Sequence, residues 1–466
     1  MRLLKTEGKK RLKILLISSY DVHGGAASAC LRLAESLCDK SDMDVKLLVS
    51  KKKSSFPFIE PLGKSFLYHI RRFIFFILDP LLFTITARKT AMRFSFSSGR
   101  YGGSIINHPW VREADVIHLH WINHSFISVE TIRQLQELGK PVVWTLHDMW
   151  AFTGICHYSG ACEKYVTACG DCHFLKHNHP EDLSASVWKQ KHQAYQNLHF
   201  IATSHWLGRK GEQSSLLKKF PLTIIPSSVD TCIFKPLLSK NAAKKQMNLN
   251  PDKIHILFGA EFIYQERKGL AYLVKALNLL RLRHPEIFNK TELVLFGKKF
   301  NPAMLEGLPY IYLGELIHPE QTARTFNACD VFIIPSLEDN LPNVVLESLA
   351  CGVPVVGFNT GGIPEMVDHL SNGYLAEYKS HEDLLNGIVW VLSERDRYRL
   401  LSHNARKGIL ENFSYESVSK KHLEYYNELI RRHSFLRLKS RVFSKHADNN
   451  KPQPFADRLP SYRFLS

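Results

Sequence analysis

The 466-residue sequence has no uninterrupted apolar run long enough to span a bilayer, no three-glycine dinucleotide fingerprint and no repeat of solenoid period. A spanning helix needs about 20 consecutive apolar residues. The most apolar segment, Phe66 to Thr86, is interrupted by His69, Arg71, Arg72, Asp79 and Pro80. It reads either as a basic, aromatic helix lying on anionic lipid or as a pair of core-packing helices. The missing fingerprint argues against a nicotinamide enzyme. Acidic residues are in deficit, 44 against 61 Lys plus Arg. The net charge of +17 favours anionic partners without choosing among phosphates, acidic lipid and nucleic acid. Met1 to Lys10 is polar and basic and leads straight into a strand-like run, so no secretory leader is expected.

What is present is a folded protein's composition, 45% hydrophobic and 23% charged, in a chain long enough for two domains. Short runs rich in β-branched residues alternate with helical patterns, which predicts parallel sheets with crossover helices, an α/β fold. The first series is Leu12 to Ser18, Val45 to Val49, Val116 to Leu119, Val142 to Leu146 and Phe200 to Thr203. The second is Ile254 to Gly259, Leu293 to Gly297, Tyr310 to Leu313, Val331 to Pro335 and Val353 to Phe358. Pro226 to Pro236 reads as the linker between two doubly wound, Rossmann-like domains, 1–230 and 231–413. A helix over 414–434, packing back on the first domain, and a basic flexible tail over 435–466 complete the expected order. Ligands of such sheets bind at the carboxyl ends of the strands, so two facing domains make a cleft.

Three stretches carry chemistry. The first strand runs into a turn with Gly24 and Gly25 ahead of a helical pattern, where backbone N–H groups can approach an anion. In the second domain, Ser336-Leu-Glu-Asp-Asn-Leu-Pro-Asn-Val-Val-Leu-Glu347 follows a buried strand and enters a helix at Pro342. The free N–H groups there favour phosphate. Asp339 in the loop and Glu347 in the helix can line one ligand, and carboxylates suit paired sugar hydroxyls. Ala350-Cys-Gly-Val-Pro-Val-Val-Gly-Phe and Thr360-Gly-Gly-Ile-Pro-Glu365 then repeat the strand and glycine-turn pattern. In the first domain, Val142 to Leu146 ends in His147-Asp148, and the preceding strand ends in His118-Leu-His120-Trp121-Ile-Asn123.

These residues resemble the retaining glycosyltransferases of family 4, which have the two-domain GT-B architecture, over nearly the whole chain. The hallmark is a carboxylate, seven residues, then Glu, followed by Ala-x-Gly-x-Pro-Val-Val and Gly-Gly-x-Pro-Glu; Asp339 and Glu347 take the acidic places. The resemblance implies that Glu347 holds the ribose of the nucleotide and Asp339 the donor-sugar hydroxyls, with Asn343 and Val344 at the helix start. The family commonly has Glu where Asp339 stands. It also places cations on the diphosphate from a segment ending in Lys-Gly, here Gly259 to Gly269. Lys268 matches; the usual Arg after the strand glycine is replaced by Ala260 and Glu261, leaving Arg267 as the substitute. A fixed cation there stabilises the departing diphosphate without a metal. His147 falls at the family's active-site histidine. His120, Trp121 and Asn123 are a candidate acceptor wall.

Cys156, Cys162, Cys169 and Cys172 follow His147, separated by five, six and two residues. A Cys-x-x-Cys pair plus two nearby thiols suits a structural zinc site, and free thiols or redox pairs are the alternative. A subset of polysaccharide-assembling family-4 enzymes is similar in carrying a Cys-rich insertion here.

The expected function is retaining sugar transfer from a nucleotide-sugar donor to a lipid-linked glycan acceptor, in bacterial surface polysaccharide assembly. The expected setting is the cytoplasmic face of the inner membrane, with peripheral contact, no nucleic-acid partner and no catalytic cofactor. A nucleotide-sugar epimerase of the same fold is the rival. A zinc-bearing nucleic-acid-binding protein, suggested by the charge and the cysteines, ranks below both, because the basic residues are dispersed and no recognition helix accompanies the cysteines.

Overall fold

A computed structural model describes residues 11–449 except 23, 41, 64–65, 90–93, 238 and 306. Seven strands form the first sheet: β1 (Leu12–Tyr20), β2 (Met43–Lys51), β3 (Ile59–Pro61), β4 (Val116–Leu119), β5 (Val142–Leu146), β6 (His199–Ala202) and β7 (Leu222–Ile224). Six form the second: β8 (Ile254–Phe262), β9 (Thr291–Lys298), β10 (Tyr310–Tyr312), β11 (Val331–Ile334), β12 (Val355–Phe358) and β13 (Gly373–Ala376). Their spatial orders are β3-β2-β1-β4-β5-β6-β7 and β10-β9-β8-β11-β12-β13. Every ladder is parallel. The strand order reverses between β1 and β4 and between β8 and β11, and at such switch points the loops after neighbouring strands part to leave a crevice.

The central strands are buried on both faces, which is why they read as continuous apolar runs. Ile14 to Ile17 in β1 and Val331 to Ile333 in β11 are all at 1% exposure or less. β3, β7 and β13 escape the sequence reading. They are three- or four-residue edge strands, only partly buried, and β3 ends in a proline that an interior strand would not tolerate.

Two expectations about helices need correction. Phe66–Thr86 is one continuous helix that passes through Pro80, not a pair, and much of its apolar surface faces outward. The C-terminal helix runs from Tyr415 to Asn449, so 435–449 are helical where a flexible tail was expected. No Pro or Gly occurs between 415 and 449 to stop the helix; the first proline is Pro452. Residues 450–466 of the expected tail lie outside the described residues. Both sheets belong to one body that extends to His422, and the chain from Leu423 onward forms a second. Within the first body, the start of the C-terminal helix sits on the first domain: the Tyr415 hydroxyl donates to Glu35 (2.8 Å), and the His422 ring lies 6.1 Å from that of His118.

Candidate functional site

The second domain builds its half of the site on the loop after β11. Asp339 is 5% exposed and receives Lys268 Nζ at 2.6 Å, Arg267 at 3.3 Å and the Ser336 hydroxyl at 3.2 Å. Burial disfavours its charged form, but the two cations outweigh burial and hold the carboxyl at about 2. Burial pushes the Lys268 ammonium below its ordinary value, with Asp339 opposing. Glycines make this packing possible. Gly269 has φ +74°, and a β-carbon there would stand 1.8 Å from the Pro335 carbonyl oxygen, so the turn carrying Arg267 and Lys268 lies directly against the end of β11. Gly361, at φ +62°, abuts the Asp339 carbonyl in the same way, so the second glycine turn braces the Asp339 loop.

Glu347 lies on the helix Asn343–Ala350 and is 7% exposed. Its carboxylate is held at 2.5 Å by Arg32, from the first-domain helix Gly25–Cys38. Beside it, Asn343 Nδ2 donates to the Gly25 carbonyl at 2.9 Å, and at Gly24, φ +86°, an added β-carbon would stand 3.5 Å from Glu261 Oε2. Val344 is half-buried against the second domain's core. The two glycines therefore face the second domain across the cleft. Ala260, at the position where the resemblance led an arginine to be expected, is buried within β8, which continues to Phe262.

The first domain contributes the ends of β4 and β5. His147 Nε2 bonds His120 Nδ1 at 3.0 Å, and His120 Nε2 is buried without a hydrogen-bond partner. Trp121 Nε1 donates to Asp148 (2.9 Å), which also bonds His157 Nδ1 (2.7 Å); Asn123 approaches the other nitrogen of that ring at 3.4 Å. Burial pushes the His147 imidazole down to about 4, with Asp148 opposing, so the ring is neutral at pH 7 and offers a hydrogen bond rather than a charge. Among the described residues, no hydrogen bond or ion pair joins His147 directly to Lys268 or Asp339. Asn340 makes the connection: its amide donates to the His147 carbonyl (3.1 Å) and to Thr203 (2.7 Å), and its oxygen accepts from Ser204 (2.6 Å).

The cysteine segment reaches the same place. The Tyr158 ring stacks under Arg267 at 4.3 Å, and Gly160 N donates to Glu338 at 3.1 Å. Cys156 and Cys172 sit in a small apolar cluster with Phe83, Ile155 and Leu175, and Cys169 Sγ accepts from Gly154 N at 3.1 Å. Lys191 is fully buried, donating to the carbonyls of Trp150, Thr153 and Gly154; burial lowers its ammonium to about 7. Among the described residues, no three His, Cys, Asp or Glu side chains are gathered as metal ligands would be.

Arg32, Asn340, Tyr158, Glu338 and Glu365 were not foreseen as site residues. Glu365 caps the helix His205–Gln213, accepting from His205 N and Trp206 N at 2.7 and 2.8 Å. Arg32 alone left a legible trace, as a charge on the apolar face shared by Ala29, Leu33 and Ser36. A 450 Å³ cavity lined by Thr203, Glu365, Phe413 and Lys421 contains none of His147, Lys268 or Asp339.

Buried histidines make stability depend on pH. Burial lowers His118, with His422 and His147 adding to the effect, and brings His422 to about 4. A histidine whose native value lies below its unfolded value of about 6.5 binds its proton more readily when unfolded. Its stabilisation is complete above that value and is lost as pH falls from 6.5 toward 4, at about 1.4 kcal/mol per group for each unit crossed. Urea midpoints are expected to stay level between about pH 7.5 and 6.5 and to fall from there toward about pH 5. A flat profile would show that these rings are solvated in the folded chain.

Residues 253–394 match the family model described as "Glycosyl transferases group 1". An uncharacterized glycosyltransferase of Methanocaldococcus jannaschii is 26% identical over 337 residues, covering 68% of this chain and 83% of that protein. A putative colanic acid biosynthesis glycosyl transferase of Escherichia coli is 26% identical over 269 residues, covering 56% of this chain and 62% of that one. Among solved structures, Anabaena HepE in complex with UDP-glucose superposes with a TM-score of 0.60 at 15% identity, covering 90% of this chain and all of that one. Two facing parallel-sheet domains in this arrangement are the GT-B architecture.

Proposed function

We propose that this enzyme, a transferase of the glycosyltransferase class, moves a sugar from a nucleotide donor to a lipid-linked glycan acceptor with retention of anomeric configuration. The observation that carries the reading is the pairing of Lys268 and Arg267 with Asp339 at the carboxyl end of β11. Cations and a sugar-binding carboxylate thus share one turn, as the leaving diphosphate and the sugar share one bond. In the step proposed, the bond between the sugar and the β-phosphate breaks as the acceptor oxygen bonds to the same carbon from the same face. The acceptor's proton passes to the departing phosphate. Lys268 and Arg267 offset the charge that builds there, and Asp339 accepts from sugar hydroxyls. Glu347 holds the ribose, and neutral His147 lies beside the reacting carbon.

The nucleotide-sugar donor is supported by the UDP-glucose complex of the Anabaena structure. Assembly of a surface polysaccharide, whether capsule, exopolysaccharide or lipopolysaccharide, is supported by the Escherichia coli relative. The setting that goes with both is the cytoplasmic face of the inner membrane. A panel of nucleotide sugars incubated with and without lipid-linked acceptor extract tests the reading. Nucleotide release that requires acceptor, with a retained anomer by NMR, supports it. An inverted product excludes retention, and a free sugar-nucleotide isomer formed without acceptor points to the epimerase.

Structural zinc at Cys156, Cys162, Cys169 and Cys172 belongs to the same proposal and is supported by their spacing alone, since the described side chains are not gathered as metal ligands would be. Metal analysis of the purified protein is expected to find about one zinc per chain. Its absence, with four titratable thiols, would leave the segment held by its apolar cluster and Lys191 alone.

A further inference from the structure

The helix Phe66–Thr86 is two-faced in a way its own domain does not explain. Asp79 and Phe83 point inward: Asp79 bonds the Ser98 amide and hydroxyl, and Phe83, fully buried, packs with Cys156, Cys172 and Leu175. Phe66, Phe73, Ile74, Ile77, Leu81 and Ile85 point outward, each between 45% and 77% exposed. At 100° per residue these six fall within about a third of the helix circumference. A contiguous apolar stripe of this kind on a folded domain marks an interaction surface, unlike single exposed hydrophobes.

The charges around the stripe choose its occupant. Asp79 is the helix's one acidic residue, and it is buried on the inner side. Arg71 flanks the stripe, and Arg88 and Lys89 follow its C-terminal end; all three are exposed, Arg88 donates to the Leu175 carbonyl and Asn178, and among the described residues none of the three pairs with a carboxylate. A second copy docking through the same face about a twofold axis would bring these like charges together. Anionic lipid complements both the stripe and its basic border. No described helix is long and apolar enough to cross a membrane.

The helix also adjoins the acceptor side of the cleft. The rings of Phe76 and Phe94 meet His124 edge-on at 6.1 and 6.4 Å. His124 in turn packs on Trp121 at 4.6 Å and bonds the Tyr20 hydroxyl at 3.0 Å, and Ser125 holds the Phe75 carbonyl at 2.9 Å. The end of β4, where the candidate acceptor wall stands, therefore begins one side chain away from this helix, on a flank of the apolar stripe.

We propose that Phe66–Thr86 lies in the surface of an anionic bilayer and brings Trp121 and His124 to the head groups of acceptors anchored there. The delivery part rests on the acceptor being lipid-linked; the docking part does not. The full chain is floated with vesicles of phosphatidylcholine alone or with about 30% phosphatidylglycerol, in the absence of donor. Binding to the anionic vesicles is expected, weakening at high salt, and falling at least about tenfold in Phe73→Asp/Ile77→Asp. Arg71→Gln/Lys89→Gln is expected to weaken binding and flatten its salt dependence. Nucleotide binding, unchanged in all variants, reports an intact fold. The proposal is overturned if the wild-type chain does not bind, if the apolar variant binds equally well, or if light scattering shows a dimer that this variant dissociates. Absent docking alongside transfer to a detergent-solubilised acceptor sinks this inference and spares the proposed function. Docking without any sugar transfer does the reverse.

Discussion

Lys268→Met is expected to lower turnover by about 100- to 1000-fold, the usual cost of removing one fixed donor from a site where negative charge develops. The Lys268 side chain is 18% exposed and sits on a glycine turn packed so closely that a β-carbon on Gly269 would clash with the Pro335 carbonyl. Its charge is therefore already in place before the diphosphate departs, with little reorganisation left to make. Arg267, 3.3 Å from Asp339 in the unaltered chain, is left as a cationic partner for the buried carboxylate, so the fold is expected to survive. Rates from initial-velocity assays, together with melting curves, separate chemistry from stability. Lys268→Arg should recover part of the rate, since it restores charge but not a compact ammonium. Unchanged turnover in Lys268→Met would remove Lys268 from the step altogether.

Arg32→Leu is expected to cost about 3–5 kcal/mol of stability, as a buried ion pair does when one partner is deleted. Arg32 is 9% exposed and Glu347 7%, they meet at 2.5 Å, and the guanidinium also lies over the Phe234 ring at 5.3 Å. One side chain thus ties a first-domain helix to the second domain's carboxylate and to the segment entering that domain. Urea unfolding of Arg32→Leu, Glu347→Gln and the double variant measures the coupling; the double variant should lose less than the sum of the two. Nucleotide affinity separates the second role of Glu347. If it holds the ribose, Glu347→Gln weakens binding by about 10- to 100-fold, the worth of hydrogen bonds to a charged group. An unaltered nucleotide affinity in that variant would leave Glu347 a purely structural partner of Arg32.

The donor side was legible because its geometry is local. Asp339 and Glu347 lie on one loop and the helix it enters, and Gly361 and Gly269 mark positions where backbone packs on backbone. Arg267 and Lys268 come from a separate strand, yet they too stand on a turn whose glycine is visible in the sequence. The acceptor side was legible only as strand ends. That His120 bonds His147 while Trp121 holds Asp148 depends on β4 and β5 being neighbours in the sheet, a pairing between residues 27 positions apart. Arg32 and Asn340 were missed because their partners lie 315 and 193 residues away, across the cleft.

By itself, then, the sequence determined two parallel-sheet domains and the carboxylate, glycine and lysine turn. Buried strands and tight turns are written in short windows, through hydrophobic period and through glycine where a side chain cannot fit. Tertiary structure alone decided what the carboxylates meet, which histidines touch, and which side of Phe66–Thr86 faces outward. A run of phenylalanine, isoleucine and leucine has the same composition whether it fills a core or faces a membrane. Only the packing of Asp79 and Phe83 against Ser98 and the cysteine segment selects the face that turns inward and leaves the opposite one bare.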